Sequence, residues 1–125
     1  MKLTKNFSLS EFQCKDAAGT PVPDRYAANV QGLAVNLQGL RDDLGGPLHI
    51  VSGYRTPDHN KKVNGAKNSQ HLYAKAADIA AGETPRQLYN RILKLIKAGK
   101  MKDGGLGLYP SWVHYDIGPV RRWVG

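Results

Sequence analysis

Two histidines and one aspartate, His71, Asp78 and His114, are the residues of this chain best suited to hold a metal. A catalytic zinc takes three protein ligands of nitrogen or carboxylate type and leaves a fourth position for water, a count that these three side chains meet. Asp78 follows His71 by seven residues, enough for the chain to leave a loop and enter a strand, so both side chains can converge from adjacent backbone segments. His114 comes from a distant segment, Ser111 to Ile117, whose pattern reads as a strand. Alternation along that strand puts Trp112, His114 and Asp116 on one face, so whatever His114 faces, Asp116 faces too. Singly, none of these residues is diagnostic, because an isolated histidine is more often a hydrogen-bonded polar residue than a ligand. His49, inside Leu48-His49-Ile50-Val51, is expected to face solvent or a polar contact. His59, after Pro57-Asp58, is expected in a loop, capping a helix, lying at the surface or touching substrate.

Regular elements must bring these side chains together. Ser8 and Glu11 stand at capping-box spacing, which predicts a short helical turn with Phe7 and Phe12 packing inward. From Asp24 onward, Val30, Leu33, Leu37, Leu40 and Leu44 recur at steps of three or four, the mark of one buried helix stripe that ends at Gly45-Gly46-Pro47. Leu48 to Ser52 is short, apolar and β-branched and reads as a strand leading into Tyr54-Arg55-Thr56-Pro57. A polar, basic loop with room for one helical turn is expected over Asn60 to Ser69, and a buried strand over Ala76 to Ala80. Thr84-Pro85 caps a second amphipathic helix, with Leu88, Ile92, Leu95 and Ile96 inward, ending at Gly99. Gly104 to Tyr109 and Ser111 to Ile117 then form a hairpin around Pro110. The order helix, strand, strand, helix, strand, strand predicts an α+β fold, a mostly antiparallel sheet with helices packed on one side.

Composition narrows the class. At 125 residues the chain has the size of one domain, so residues 1–125 are read as a single unit. Its 41% apolar content, interspersed with charge, fits an ordinary globular protein, and no apolar stretch is long enough to span a bilayer. Met1 to Ser10 carries two lysines but no apolar core of a signal peptide, so synthesis in the cytoplasm is expected, and an extracytoplasmic substrate would require delivery by something else. Cys14, the single cysteine, can form neither an internal disulfide nor a paired-cysteine metal site and is expected to be a small semi-buried side chain. A net charge of +8 and a pI near 9.7 favour polyanionic partners: nucleic acid, anionic lipid or the acidic bacterial envelope. A nucleic-acid binder would use Lys61, Lys62, Lys67, Arg121 and Arg122, but no recognised nucleic-acid motif accompanies them, so solvated basic loops are the plainer explanation and no specific nucleic-acid partner is expected.

The run SGYRTPDHNKKVNGAKNSQHLYAKAADI, followed by WVHYDIG, resembles the zinc D-Ala-D-Ala carboxypeptidase and murein endopeptidase family, whose fold group also includes the hedgehog signalling domain. The family's S-x-H-x(6)-D element corresponds to Ser69-Gln70-His71 through Asp78, and its later zinc histidine to His114. The resemblance runs from about Phe7 to Gly118, because NFSLSEF and the helix before SGYR also resemble the small, phage-associated branch. It implies a zinc ion in a groove over the sheet, with His71, Asp78 and His114 as ligands. Arg55 would hold a substrate carboxylate, a role suited to the planar fork of donors on a guanidinium, although an exposed salt bridge is the ordinary use of arginine. Ser69 would hydrogen-bond near the scissile group or orient the His71 loop.

The implied activity is metallopeptidase cleavage of peptidoglycan stem peptides, as a carboxypeptidase or an endopeptidase, including a phage endolysin, by a monomeric protein drawn to an anionic wall. The chain departs from the family pattern in two places. Where many relatives carry a Glu or His base two or three residues before the last zinc histidine, it has Trp112 and Ser111. Asp116 then becomes the candidate base, with the fixing of a zinc ligand as its alternative role. The same departure motivates a second reading, a zinc-containing, non-catalytic cell-wall binding domain. Where relatives usually have Gly before the zinc aspartate, the chain reads Tyr73-Ala74-Lys75, which predicts a local backbone change with the metal retained.

Overall fold

The apolar stripe Val30, Leu33, Leu37 and Leu40 is buried along helix α1, Ala27–Leu44, of the computed structural model, which describes residues 1–125. A one-turn 3₁₀ segment, Asp24–Tyr26, leads into α1, and Gly45 at φ +69° ends it in the left-handed conformation that glycine adopts without steric cost. A six-residue helix α2, Pro57–Lys62, starts where Thr56 Oγ1 accepts the His59 N–H, so His59 lies inside a short helix rather than a loop. Helix α3, Pro85–Lys97, opens on a reciprocal cap: Thr84 Oγ1 accepts the Gln87 N–H at 3.1 Å, and Gln87 Oε1 accepts the Thr84 N–H at 2.9 Å. Leu88, Ile92 and Leu95 turn inward from α3. None of these helices is long and apolar enough to cross a membrane.

Five strands follow in the chain as β1 Leu48–Ser52, β2 Ala76–Ala81, β3 Gly105–Leu108, β4 Val113–Asp116 and β5 Arg121–Val124. They form one sheet in the order β1-β2-β4-β3-β5, antiparallel throughout except for the parallel pair β3 and β5. The pleat divides the sheet into two chemical faces. Ala77, Ile79, Leu106, Val113 and Tyr115 join the inward residues of α1 and α3 in a single apolar core, in which full burial of each leucine-sized side chain contributes about 1.5–3 kcal/mol. Asp78, His114 and Asp116 alternate with those residues and therefore stand on the opposite face. The fold is the expected α+β arrangement, with both long helices on one side of a mostly antiparallel sheet.

Two details of the sheet differ from the sequence expectation. Strand β5 was not anticipated, because Arg121-Arg122-Trp123-Val124 has one half-buried residue among exposed ones and lacks the alternation of a buried strand; charged side chains suit its place at the sheet edge. Trp112 precedes β4 instead of belonging to it, and its ring stacks on Tyr109 across the turn, with centroids 5.0 Å apart and planes 14° apart. His49 is exposed on β1 and Cys14 is buried in the core.

The segment after β1 links the N-terminal turn to the sheet. Phe7 and Phe12 are buried, Glu11 Oε1 accepts the Ser8 N–H at 2.8 Å, and the carbonyl of Phe12 accepts the Tyr54 N–H at 2.8 Å. This crossing is so close that a Cβ on Gly53 would lie 2.8 Å from the Phe12 backbone, whereas a Cβ on Gly46 would meet nothing within 4 Å. Gly53→Ala is accordingly expected to cost about 1–3 kcal/mol, a fall in thermal midpoint of roughly 4 °C per kcal/mol. Gly46→Ala should change stability by less than about 0.5 kcal/mol. Calorimetric midpoints of the two variants check the pair, and equal midpoints would contradict the close crossing at Phe12.

Candidate metal centre

His71 is held by its own turn and by the segment that ends β1. A 3₁₀ turn, Gln70–Tyr73, carries it, and Ser69 caps that turn by accepting the His71 N–H on Oγ at 3.2 Å. The His71 carbonyl accepts the Arg55 N–H at 3.0 Å, while its Nδ1 lies 2.7 Å from the Gly53 carbonyl. A carbonyl only accepts, so Nδ1 carries the proton and Nε2 keeps a free lone pair. Nε2 is buried and has no hydrogen-bond partner. The turn closes at Ala74 with φ +56°, a left-handed conformation that glycine takes without strain. The alanine is thus absorbed as local backbone strain in this turn.

Register brings the other two side chains to the same point. Asp78 on β2 pairs directly with His114 on β4, and neighbouring side chains of such a pair project side by side. Asp78 Oδ1 lies 3.1 Å from His114 Nδ1 and 3.3 Å from His71 Nε2. The 3.3 Å approach is not a hydrogen bond, because with Nδ1 protonated both atoms are acceptors. One ligand atom from each of His71, Asp78 and His114 lies within 4.8 Å of the others, and all three residues are buried. A tetrahedral cation with bonds of about 2.0–2.1 Å would place its ligand atoms roughly 3.3 Å apart, which the two separations from Asp78 Oδ1 match. The other polar atom of each side chain is already engaged. Asp78 Oδ2 accepts from Arg55 Nη2 at 3.1 Å, and His114 Nε2 lies 2.7 Å from Asp116 Oδ2.

Charge follows from these contacts. Burial pushes the His71 pKa down and keeps the ring neutral. Burial also opposes a charged His114, but hydrogen bonds to Asp116 and Asp78 outweigh it and lift its pKa, so without metal this ring tends toward an imidazolium between two carboxylates. Asp78, despite its burial, is driven well below the usual carboxylate range, chiefly by the hydrogen bond from His114. Asp116 is lowered in the same way, against its burial, chiefly by His114.

Asp116 lies on the His114 face, as alternation requires, yet its surroundings are not those of a proton shuttle. It is fully buried; Oδ1 accepts the N–H groups of Gly105 at 3.1 Å and Gly118 at 2.9 Å, and Oδ2 faces His114 and Arg121 Nη2 at 2.5 Å. These four contacts fill the lone-pair sites of a carboxylate. Of the two roles open to it from sequence, this environment suits the fixing of a ligand. Arg55 is likewise partly engaged: Nε donates to Ser52 Oγ at 3.2 Å, Nη1 to Asn60 Oδ1 at 3.2 Å and Nη2 to Asp78. Two of its five donors stay uncommitted.

A cavity of about 250 Å³ opens over the centre, and Arg55, Ser69, Trp112 and Asp116 line it along with the three acceptors. Gln70, Tyr109, Arg121 and Trp123 also line it; in the sequence Arg121 stands out only among the basic residues of a nucleic-acid binder, and none of the four is marked there as part of the metal site. The signal that could have found the last two is Gly105 and Gly107, spaced by two along β3, since glycine inside a strand often marks close approach of another group.

Comparison with known proteins places this arrangement in a family. Over 95 residues the chain is 34% identical to the probable peptidoglycan L,D-endopeptidase MepK of Haemophilus influenzae, covering 70% of this chain and 46% of that protein. Over 81 residues it is 37% identical to the zinc D-Ala-D-Ala carboxypeptidase of Streptomyces albus G, covering 62% of this chain and 32% of that protein. The chain thus spans less than half the length of either relative. Residues 5–116 match the Peptidase M15 profile, a segment that contains His71, Asp78, His114 and Asp116, and the chain belongs to the Peptidase M15 family.

Proposed function

We propose that this chain is a zinc peptidase that hydrolyses peptide bonds in the stem peptides of bacterial peptidoglycan, with His71, Asp78 and His114 holding the metal. The observation that carries this reading is the buried, unpartnered Nε2 of His71, 3.3 Å from an Asp78 Oδ1 that itself lies 3.1 Å from His114 Nδ1. Family membership and two relatives named for peptidoglycan endopeptidase and zinc carboxypeptidase activity support the substrate class. Zinc bound in such a site would supply a Lewis acid for the scissile carbonyl and would lower the pKa of its water towards ~7.

The side chains of the protein divide the remaining work. Gly53 and Asp116 each hold a proton on the outer nitrogen of a histidine, Gly53 on His71 Nδ1 and Asp116 on His114 Nε2, which leaves the inner nitrogens as donors to a metal. Arg55 steadies the second oxygen of Asp78 and offers its two uncommitted N–H groups to a substrate carboxylate. Ser69 maintains the His71 turn at the cavity edge. The net charge of +8 favours accumulation on an anionic wall. The resemblance of the opening segment to the phage-associated branch supports use of this activity as an endolysin.

A specific observation also favours the binding-only alternative: Ser111 and Trp112 occupy the usual base positions, and the Asp116 carboxylate is saturated. Zinc-loaded protein incubated with purified peptidoglycan separates the two readings. New amino termini should appear and should vanish in His114→Ala, whereas metal near one equivalent without any cleavage would leave a binding domain. Release of free D-alanine would identify a carboxypeptidase, and shortened cross-linked or internal peptides an endopeptidase. Metal content far below one equivalent in protein loaded with zinc and then desalted would overturn the metal assignment.

Zinc uptake should release protons, because His114 must give up its Nδ1 proton to become a ligand. Calorimetric titration in buffers of different ionisation enthalpy measures this release. Below the raised pKa of His114, affinity should fall by about tenfold per pH unit for each proton displaced. Affinity independent of pH between 5 and 8, values chosen to bracket the ordinary histidine range of roughly 6.5, would contradict the protonated bridge. Arg55→Lys keeps the charge but loses the fork, and kcat/KM should drop about tenfold or more for stem peptides with a free carboxylate. Peptides amidated at that carboxylate should show little difference between the two proteins, and an equal loss on both would assign Arg55 to Asp78 alone.

A further inference from the structure

Across the face of the sheet that carries the metal-site residues, the register aligns Ser52, Asp78, His114, Gly107 and Trp123 in one row running from β1 to β5. In the adjoining row, Gly105 of β3 pairs with Arg121 of β5 and donates its N–H to Asp116 of β4. The two glycines therefore form a trough in β3, between the strand that holds His114 and the edge strand. Side chains from β5 fill it. The Trp123 ring reaches over Gly107 to lie 4.9 Å from the His114 ring, centroid to centroid, and Arg121 reaches over Gly105 to Asp116. A Cβ on Gly107 would fall on the Trp123 indole, and one on Gly105 on the contact between Asp116 and Arg121. The two β5 side chains also brace each other, with Arg121 Cζ 5.2 Å from the Trp123 ring centre and Trp123 Nε1 donating to Tyr109 Oη at 2.8 Å.

We propose that Arg121 and Trp123 are positioning residues for the metal site: Arg121 through Asp116, and Trp123 by direct packing, fix the imidazole of His114 so that Nδ1 points at the site. This inference rests on the reading of His71, Asp78 and His114 as metal ligands. Each link has a physical cause. Asp116 Oδ2 could swing away from His114 Nε2, but Arg121 holds that same oxygen while Gly105 and Gly118 hold the other. Rotation of the His114 ring out of line would drive it into the Trp123 indole. The opposite face of β5 offers an internal control, since Arg122 bonds the Gly104 carbonyl and Asp103 and makes none of its hydrogen bonds to Asp116.

The test measures zinc affinity by competition with a chromophoric chelator, the visible spectrum of the cobalt-substituted protein, and the thermal midpoint of the metal-free protein. Arg121→Ala should weaken zinc binding about 10–100-fold, the usual effect of removing an outer partner of a ligand, and should shift the cobalt bands. Arg121→Lys should recover part of both, and Trp123→Ala should broaden or shift the cobalt bands through a loosened ring. Arg122→Ala should lower the thermal midpoint while keeping wild-type affinity and spectrum. Wild-type zinc affinity and cobalt bands in Arg121→Ala would overturn the proposal, as would an equal loss in Arg122→Ala, which would make β5 a merely structural edge. If the unaltered protein itself takes up no zinc, the metal assignment fails first, and that outcome is distinct from a failure confined to the β5 variants.

Discussion

Three acceptor atoms converge in a buried place that offers them no shared donor except one proton on His114. An unsatisfied buried acceptor costs about 1–3 kcal/mol, so this convergence is tolerable only if a cation or that proton lies among them. Every other hydrogen-bonding atom of the trio is already committed: His71 Nδ1 to Gly53, Asp78 Oδ2 to Arg55 and His114 Nε2 to Asp116. The outer bonds aim the inner lone pairs and stop the side chains from turning away. The pKa directions of the two histidines are opposed because burial dominates at His71, whereas at His114 hydrogen bonds to a carboxylate on each side outweigh burial.

The sheet makes this aim rigid. Pairing of Asp78 with His114 sets two of the acceptors side by side by backbone hydrogen bonds, and the period of two keeps Ala77, Ile79, Val113 and Tyr115 in the core on the other face. Slipping the register by one residue would turn the chemistry into the core and the core into the cavity, so apolar burial enforces the placement of the polar site. His71 lacks a strand of its own, and its position depends on the Ser69 cap, the left-handed turn at Ala74 and two bonds to the Gly53–Arg55 segment. That segment is in turn fixed by its close passage over Phe12, which connects the N-terminal turn to the site.

Charged groups around the centre act mostly on one another. Arg55 holds the outer oxygen of Asp78, and Arg121 holds the Asp116 oxygen that faces His114. A buried carboxylate without such a partner would carry a penalty of several kcal/mol. Arg55 keeps two N–H groups uncommitted, while every acceptor site of Asp116 is taken, so the same network leaves one cation with free donors and saturates one carboxylate.

Much of this was legible in the chain. The stripes of α1 and α3, the caps at Ser8 and Thr84, strands β1 to β4 and the choice of His71, Asp78 and His114 as partners follow from local periodicity, turn chemistry and the ligand habits of imidazole and carboxylate, helped by the motif resemblance. Those signals lie between near neighbours in sequence, where spacing dictates which way a side chain points. Strand β5 left no such trace, because an edge strand exposes most of its residues and takes its pairing from β3. Which nitrogen of each histidine faces the site, the saturation of Asp116, the grip of Arg55 on Asp78 and the place of Trp123 beside His114 were decided only by the tertiary structure. Each depends on which atoms of remote segments meet, and that is fixed by cross-strand register and close packing rather than by any local pattern of residues.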